Sequence, residues 1–368
     1  MKILYITTVG LTMGFFKSIV QKLINDGNIV DIATNQDDFQ VADCFKEWGC
    51  KVYQIDCSRS PLNGSNLKVI KQIRDIATEG EYDLVHCHTP VAAACTRMAC
   101  RSLRKKGIKV VYTAHGFHFF KGSGLKNWLL FYPIERICSH WTDVLITINS
   151  EDYNLAIKKM KAKKIVYIPG VGIDTKQFYN ACVDKSGKRL ECGIPVDAFV
   201  VLSVGELNVN KNHRVVIDAL NELKSNDIHY CIAGQGNQKE YLLNYAKSKN
   251  VEKNVHLLGY RKDVLELYKM ADLYILPSLR EGLNVSVMEA MASGLPCALS
   301  DIRGNTDLVK HNEGGFLCRK ASDYARAISK MKSDADLRRQ YAHINRHNSY
   351  LYDQNGINNR IIELYYGV

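Results

Sequence analysis

Two glutamates, Glu281 and Glu289, stand out in the run Pro277-Ser-Leu-Arg-Glu-Gly-Leu-Asn-Val-Ser-Val-Met-Glu-Ala-Met-Ala-Ser-Gly-Leu-Pro296. A short apolar stretch, Leu273 to Leu276, leads into it and predicts a buried strand. Pro277 and Gly282 mark a loop. Asn284 is placed to cap a helix that Gly294 and Pro296 bring to an end. Glu281 thus falls in the loop and Glu289 inside the helix. The backbone N–H groups at such a helix start suit phosphate or hydroxyl oxygens. The helical neighbours of Glu289 are Val285, Ser286, Ala292 and Ser293, so no Lys or Arg lies one turn away. A carboxylate among Val, Met and Ala needs hydrogen-bond donors, and a sugar cis-diol carries two. The bland alternative is a solvated Glu on an exposed helix face; the apolar flanks on both sides weigh against it.

Other candidates sit where strands end. Val200–Val204 reads as a strand that runs into Gly205-Glu-Leu-Asn-Val-Asn-Lys-Asn212, a loop-to-helix start where Lys211 could hold a pyrophosphate. Gly234-Gln-Gly236 opens the next helix, and Gly259-Tyr260-Arg261 follows the strand after that. In the first half, Thr113-Ala-His115-Gly-Phe-His118 ends a strand, and the glycine after His115 frees the backbone so that the ring can face a cleft. Gly10 and Gly14 punctuate the first loop. They are not a Gly-x-Gly-x-x-Gly fingerprint, and they fit either a close ligand approach or two turn glycines. His86 and His88 share one side of a strand, but no second cluster completes a metal-ligand set.

The elements that must position these residues alternate strand and helix throughout. Strands are expected at 3–7, 29–33, 52–55, 84–87, 110–113, 144–148 and 165–168, with a loop over 8–14. After the turn-rich segment Pro169–Asp174 and a loop over 182–195, they are expected at 199–204, 230–233, 255–257, 273–276, 297–299 and 315–317. Alternation of this kind predicts two doubly wound parallel sheets, with ligands at the carboxyl ends of the strands.

The Glu-Gly…Glu-Ala-Met-Ala-Ser-Gly-x-Pro pattern, with the alternation over nearly the whole chain, resembles the retaining GT-B glycosyltransferases of the family-4, or group 1, kind found in bacterial exopolysaccharide and capsule biosynthesis. The resemblance implies two Rossmann-like domains facing a central cleft. Residues 1–170 would bind the acceptor and 171–350 the nucleotide-sugar donor, and 351–368 would form a helix returning to the first domain. It further implies that Glu281 and the N–H groups of Gly282 and Leu283 hold sugar hydroxyls and that Glu289 holds the ribose. Lys211 would offset the diphosphate charge, His115 would reach the donor sugar, and Tyr260 and Arg261 would lie by the nucleotide base. Gly10, Gly205, Gly234 and Gly236 complete the binding loops. The donor implied is a UDP-sugar acting as substrate, with no cofactor. Two departures matter. Leu283-Asn284 replaces a frequent Phe-Gly beside the donor sugar, so the resemblance does not name the sugar. Glu206 stands where many members carry Arg. Asp334-Ala-Asp336 looks like the metal-binding Asp-x-Asp of the other glycosyltransferase fold but sits at a helix start, where Asp caps, so no metal is implied. Two rival functions stay open: a GT-B-fold UDP-sugar epimerase and a silent sugar-nucleotide binding protein.

Composition bounds the rest. The chain has 368 residues, 46% hydrophobic and 24% charged, the composition of a soluble globular protein of two ordinary domains. The twelve cysteines form no Cys-x-x-Cys pair and suit a reducing cytoplasm. Met1-Lys-Ile-Leu reads as a first strand and not as a signal peptide. Residues 1–170 hold 23 Lys and Arg against 15 Asp and Glu, a net +8 out of the +11 of the whole chain. That bias, without a nucleic-acid motif, points to an anionic membrane surface. Phe117–Tyr132, with Trp128, Phe119 and Phe120 near Lys121 and Lys126, and the basic run Lys158–Lys164 are the expected contacts, the equal alternative being a core helix and a solvated helix end. The expected setting is cytoplasmic, peripheral on the inner face of the membrane, with a polyprenyl-diphosphate-linked acceptor.

Overall fold

The computed structural model describes residues 1–61 and 63–367; Val368, the last residue of the expected closing segment, lies outside them. Contacts divide the chain into two units: Met1–Val171 together with the chain from Asn355 onward, and Gly172–Gln354.

The first unit runs β1 (Lys2–Val9), α1 (Lys17–Asn25), β2 (Ile29–Asn35), α2 (Asp43–Glu47), β3 (Val52–Gln54), α3 (Asn66–Glu79), β4 (Leu84–His88), α4 (Pro90–Cys100), β5 (Lys109–Ala114), α5 (Leu125–Ser139), β6 (Val144–Thr147), α6 (Ser150–Lys159) and β7 (Lys164–Tyr167). Its seven-stranded sheet has the order β3-β2-β1-β4-β5-β6-β7, with parallel pairing throughout. Successive strand residues point to opposite faces, and both faces are covered. Leu4, Ile6, Val85 and Val110 pack with Val69 and Ile73 of α3 and Ala92 and Ala99 of α4. Ile3, Tyr5, Leu84 and Val111 pack on the other face with Ile19, Val20 and Leu23 of α1, and with Ile357 and Ile362 from the end of the chain.

The second unit runs α7 (Thr175–Asn180), α8 (Lys185–Glu191), β8 (Phe199–Val204), α9 (Arg214–Leu223), β9 (Ile228–Ala233), α10 (Lys239–Ser248), β10 (Val255–Gly259), α11 (Val264–Met270), β11 (Leu273–Leu276), α12 (Val285–Ala292), β12 (Cys297–Ser300), α13 (Asn305–Leu308), β13 (Lys310–His311), β14 (Gly314–Cys318), α14 (Ala321–Ser333) and α15 (Ala335–Ser349). Helix α16 (Gln354–Tyr366) closes the chain. The sheet order is β10-β9-β8-β11-β12-β14-β13, again parallel. The order reverses at β1/β4 in the first sheet and at β8/β11 in the second, the switch points where doubly wound sheets bind ligands. This is the GT-B fold class expected from the sequence.

Three local expectations are corrected. The first loop is shorter than 8–14: β1 continues to Val9, and Gly10–Phe16 winds as a 3-10 helix with Gly10, Met13 and Phe16 buried. The 182–195 stretch is not all loop. Asp184 accepts from Gly187 N at 3.0 Å and starts α8. Arg189 then bonds the carbonyls of Met270 and Ala198 and the Asp272 carboxylate, contacts that outweigh the weak local propensity. The aromatic run is not a surface feature. Phe117 and Phe119 are core residues, stacked at 4.8 Å, and Trp128 packs edge-on against Phe119 and donates to the Phe120 carbonyl. What α5 exposes instead is Leu125, Leu129 and Ile137, with Lys126 on the same helix.

Candidate functional site

At the carboxyl end of the second sheet, the loop after β8 and the loop after β11 are laced together. Leu279 N donates to the Asn210 carbonyl at 2.8 Å, Asn210 Nδ2 to the Arg280 carbonyl at 3.0 Å, and Asn212 Nδ2 to the Pro277 carbonyl at 3.3 Å. Asn208 accepts from Lys211 N at 3.0 Å and so fixes the turn that carries Lys211. The consequence is an ion pair: Lys211 Nζ lies 2.6 Å from Glu281 Oε1, with the side chains 14% and 11% exposed. Asn284 Nδ2 donates to the other oxygen, Oε2, at 3.0 Å. Both carboxylate oxygens are engaged, so the orientation of Glu281 is set.

Asn284 is also the N-cap of α12, accepting from Ser286 N at 2.9 Å. Ser286 Oγ bonds the carbonyl of Val204, the last residue of β8, at 3.1 Å, and meets Tyr274 Oη at 2.5 Å. The positive end of α12 is thereby tied next to Gly205, Lys211 and Glu281. Gly282 and Leu283 lie between the carboxylate and the cap.

One turn into α12, Glu289 accepts from Tyr268 Oη at 2.8 Å through Oε2. Its other oxygen has no hydrogen-bond partner among the described residues. Burial pushes the carboxyl up to about 7, against the smaller opposing effect of the Tyr268 bond. The sequence showed that no cation sits one turn away on its own helix; it did not show Tyr268, which arrives from α11.

Some expected residues also have structural roles of their own. A Cβ at Gly234 would come within 1.8 Å of the Gly205 carbonyl oxygen, and one at Gly236 within 2.2 Å of that of Leu207. These glycines let two backbone segments touch, which accounts for them without a ligand. Gly10 does the same against the Phe39 carbonyl, at 2.3 Å. The Arg261 guanidinium is committed to Asp263 and Glu191, and Tyr260 is exposed. Glu206 accepts from Asn208 Nδ2 at 2.7 Å and leaves Lys211 to Glu281. Asp334 caps α15, accepting from Leu337 N at 2.9 Å. Among the described residues, no group of three or more His, Cys, Asp or Glu is arranged to hold a metal.

In the first unit, β4 and the end of β5 bring three histidines together. His115 Nε2 lies 3.1 Å from His88 Nδ1. His86 bonds Thr113 Oγ1 at 2.8 Å and Tyr365 Oη at 2.5 Å, and Tyr365 meets Tyr5 Oη at 2.6 Å. Burial depresses His86 to about 3 and His115 to about 4, so both are neutral at physiological pH. The His-Cys-His run is a buried, hydrogen-bonded feature of the first unit. No helix among the described residues is long and apolar enough to cross a membrane.

Comparison with known proteins gives the family and the fold. The profile described as Glycosyl transferases group 1 matches residues 185–348, and that described as Glycosyl transferase 4-like matches residues 2–149. EpsD of Bacillus subtilis, named as a glycosyltransferase, is 36% identical over 294 residues, which is 78% of this chain and 77% of its own. The UDP-Gal:alpha-D-GlcNAc-diphosphoundecaprenol alpha-1,3-galactosyltransferase of Escherichia coli is 32% identical over 266 residues, 68% of each chain. Among solved structures, Anabaena Alr3699/HepE in complex with UDP superposes with a TM-score of 0.81 at 21% identity over the whole of both chains, a likeness of fold.

Proposed function

We propose transfer of a sugar from a UDP-sugar to a lipid-linked saccharide, because the chain belongs to the glycosyl transferases group 1 family. The observation that carries this reading is the Lys211–Glu281 pair beside the start of α12, with Glu289 one turn on and one of its oxygens unpartnered. Such a site offers a cation for a leaving diphosphate, fixed acceptors for sugar hydroxyls, and a carboxylate for a ribose diol. Both Glu281 and Glu289 serve binding. Neither is the covalent nucleophile that retaining glycosidases use, and retention at the anomeric carbon follows from the family resemblance. His115 contributes a hydrogen bond to a sugar oxygen. The donor and acceptor classes are supported by the Escherichia coli relative, whose name gives UDP-Gal and a diphosphoundecaprenol-linked sugar.

The test is mass spectrometry of products from a panel of UDP-sugars with a polyprenyl-diphosphate-linked acceptor. A new glycosidic product with release of UDP is expected. Isomerised UDP-sugar formed without acceptor would favour the epimerase, and binding without UDP release the silent protein. The reaction should run undiminished in EDTA, since Lys211 and the helix start supply the positive charge. Activity that is lost in EDTA and restored by magnesium or manganese would overturn this part of the reading.

Reaching such an acceptor from the cytoplasmic face calls for a docking surface. The first unit carries the basic excess. Lys158, Lys159, Lys161, Lys163 and Lys164 are all exposed, and α5 presents Leu125 and Leu129, 74% and 70% exposed. Each basic side chain near an anionic leaflet contributes about 1 kcal/mol. Replacing the five lysines with Gln should then lower binding to anionic vesicles by roughly a thousandfold, and moderate salt should do the same to the wild type. In liposome flotation, equal and salt-insensitive recovery on neutral and anionic vesicles would exclude electrostatic docking.

A further inference from the structure

The histidine pair in the first unit carries an inference that rests on the reading of His115 just given. His88 is 1% exposed, and its ring is clamped. It stacks on Phe16 at 4.1 Å and 28°, lies 4.1 Å from the His86 ring and 5.6 Å from that of Tyr5. One nitrogen, Nδ1, meets His115 Nε2 at 3.1 Å. The other, Nε2, is buried with no hydrogen-bond partner among the described residues.

Two neutral imidazoles can share that hydrogen bond in only two ways. If His115 Nε2–H donates, His88 must carry its own proton on Nε2, leaving an N–H donor buried without an acceptor. If His88 Nδ1–H donates, Nε2 keeps only a lone pair in the enclosed position. Orphaned buried N–H groups are the rarer and costlier of the two. The second arrangement also fixes the far side of the partner ring. His115 Nε2 then accepts, so its proton is on Nδ1, and Nδ1 makes no hydrogen bond among the described residues.

We infer that His88 is a positioning residue: by donating from Nδ1 it holds His115 as the Nδ1–H tautomer and presents a hydrogen-bond donor, and not a base, to a sugar oxygen. Both rings are held neutral by burial, which lowers His88 well below its ordinary value and His115 to about 4, so the tautomer is stable across the working pH range. Phe16, stacked on His88, restrains the ring.

The test is 15N spectroscopy of the histidine side chains, with the His115 signals assigned by comparison with His115→Gln. Wild-type protein should show His115 protonated at Nδ1. His88→Phe keeps a ring to stack on Phe16 but removes the donor. It should give His115 a mixture of tautomers and lower kcat by on the order of 10–100-fold with little change in donor KM. His88→Asn, whose amide N–H falls near the Nδ1 position, should restore the tautomer and most of the rate. A wild-type His115 protonated at Nε2, or a tautomer unmoved in His88→Phe, overturns the proposal even if that variant is inactive. The spectroscopic result stands apart from catalysis. Should the tautomer follow His88 as stated while His115→Gln transfers sugar at the wild-type rate, the positioning holds and the catalytic use of His115 is what fails.

Discussion

Lys211→Met is expected to lower kcat for sugar transfer by about 10²–10³-fold, the scale seen when one preorganised charge-stabilising group is removed. Asn208 caps the turn, Asn210 and Asn212 bind it to the Pro277–Glu281 segment, and the ammonium is thereby held 2.6 Å from Glu281. An ammonium carries three donors, so it can keep Glu281 and still meet a phosphate oxygen. As the bond to the sugar breaks, negative charge grows on the diphosphate, and an ammonium already in place stabilises it without reorganising. Glu206 adds no positive charge, and Arg261 is held by Asp263 and Glu191, so neither can replace it. Equal losses in kcat and kcat/KM would mark an interaction made in the transition state. Transfer within tenfold of wild type would remove Lys211 from the site. Lys211→Arg separates charge from geometry: a guanidinium keeps the charge, but its planar fork does not fit the single oxygen that Nζ meets, so a partial recovery is expected.

The parts of this site that were legible in the sequence are those set by local pattern. Asn284 as N-cap, Gly294 as the helix stop, the strand before Pro277 and the Lys-bearing turn after β8 each follow from residue type and spacing. The structure shows each in place. What escaped is long-range. Tyr268 reaches Glu289 from α11, His88 reaches His115 across neighbouring strands, and Tyr365 returns from the last helix to His86. No period or motif encodes which side chains meet when parallel strands from distant segments lie side by side. Glycines carry a second reason that the sequence does not show. Gly10, Gly234 and Gly236 read as ligand loops, and each also sits where another backbone carbonyl would collide with a Cβ. The aromatic run 117–132 misled because a Phe-rich stretch beside lysines reads alike whether its rings face lipid or core. Only packing shows that Phe117 and Phe119 are inside and that Leu125 and Leu129 face outward.

Glu289→Ala should weaken UDP binding by about 1.5–3 kcal/mol, the range for hydrogen bonds to a charged group, or roughly ten- to a hundredfold in Kd. Calorimetry that finds the affinity unchanged would remove Glu289 from the ribose. The carboxyl titrates near 7 because burial disfavours its charge, so pH gives a sharper test. Accepting two ribose hydroxyls requires the ionised form. UDP affinity should therefore rise with pH, by about tenfold between pH 6 and 8, and Glu289→Gln should flatten that rise. Stability runs the other way. A carboxyl whose folded value is raised above its unfolded value favours the folded state at low pH, and that advantage is lost as pH climbs from the ordinary carboxylate range through 7. The buried histidines oppose this: His86 and His115 are depressed in the fold, so their contribution is present above the ordinary histidine value and lost as pH falls toward 4. The net slope of stability with pH mixes the two, and only the difference between wild type and Glu289→Gln isolates Glu289. In that difference, unliganded Tm should fall as pH rises to 7 while the stabilisation by UDP grows over the same interval. A UDP-induced shift that is independent of pH in wild type would show that the ribose does not call on this carboxylate.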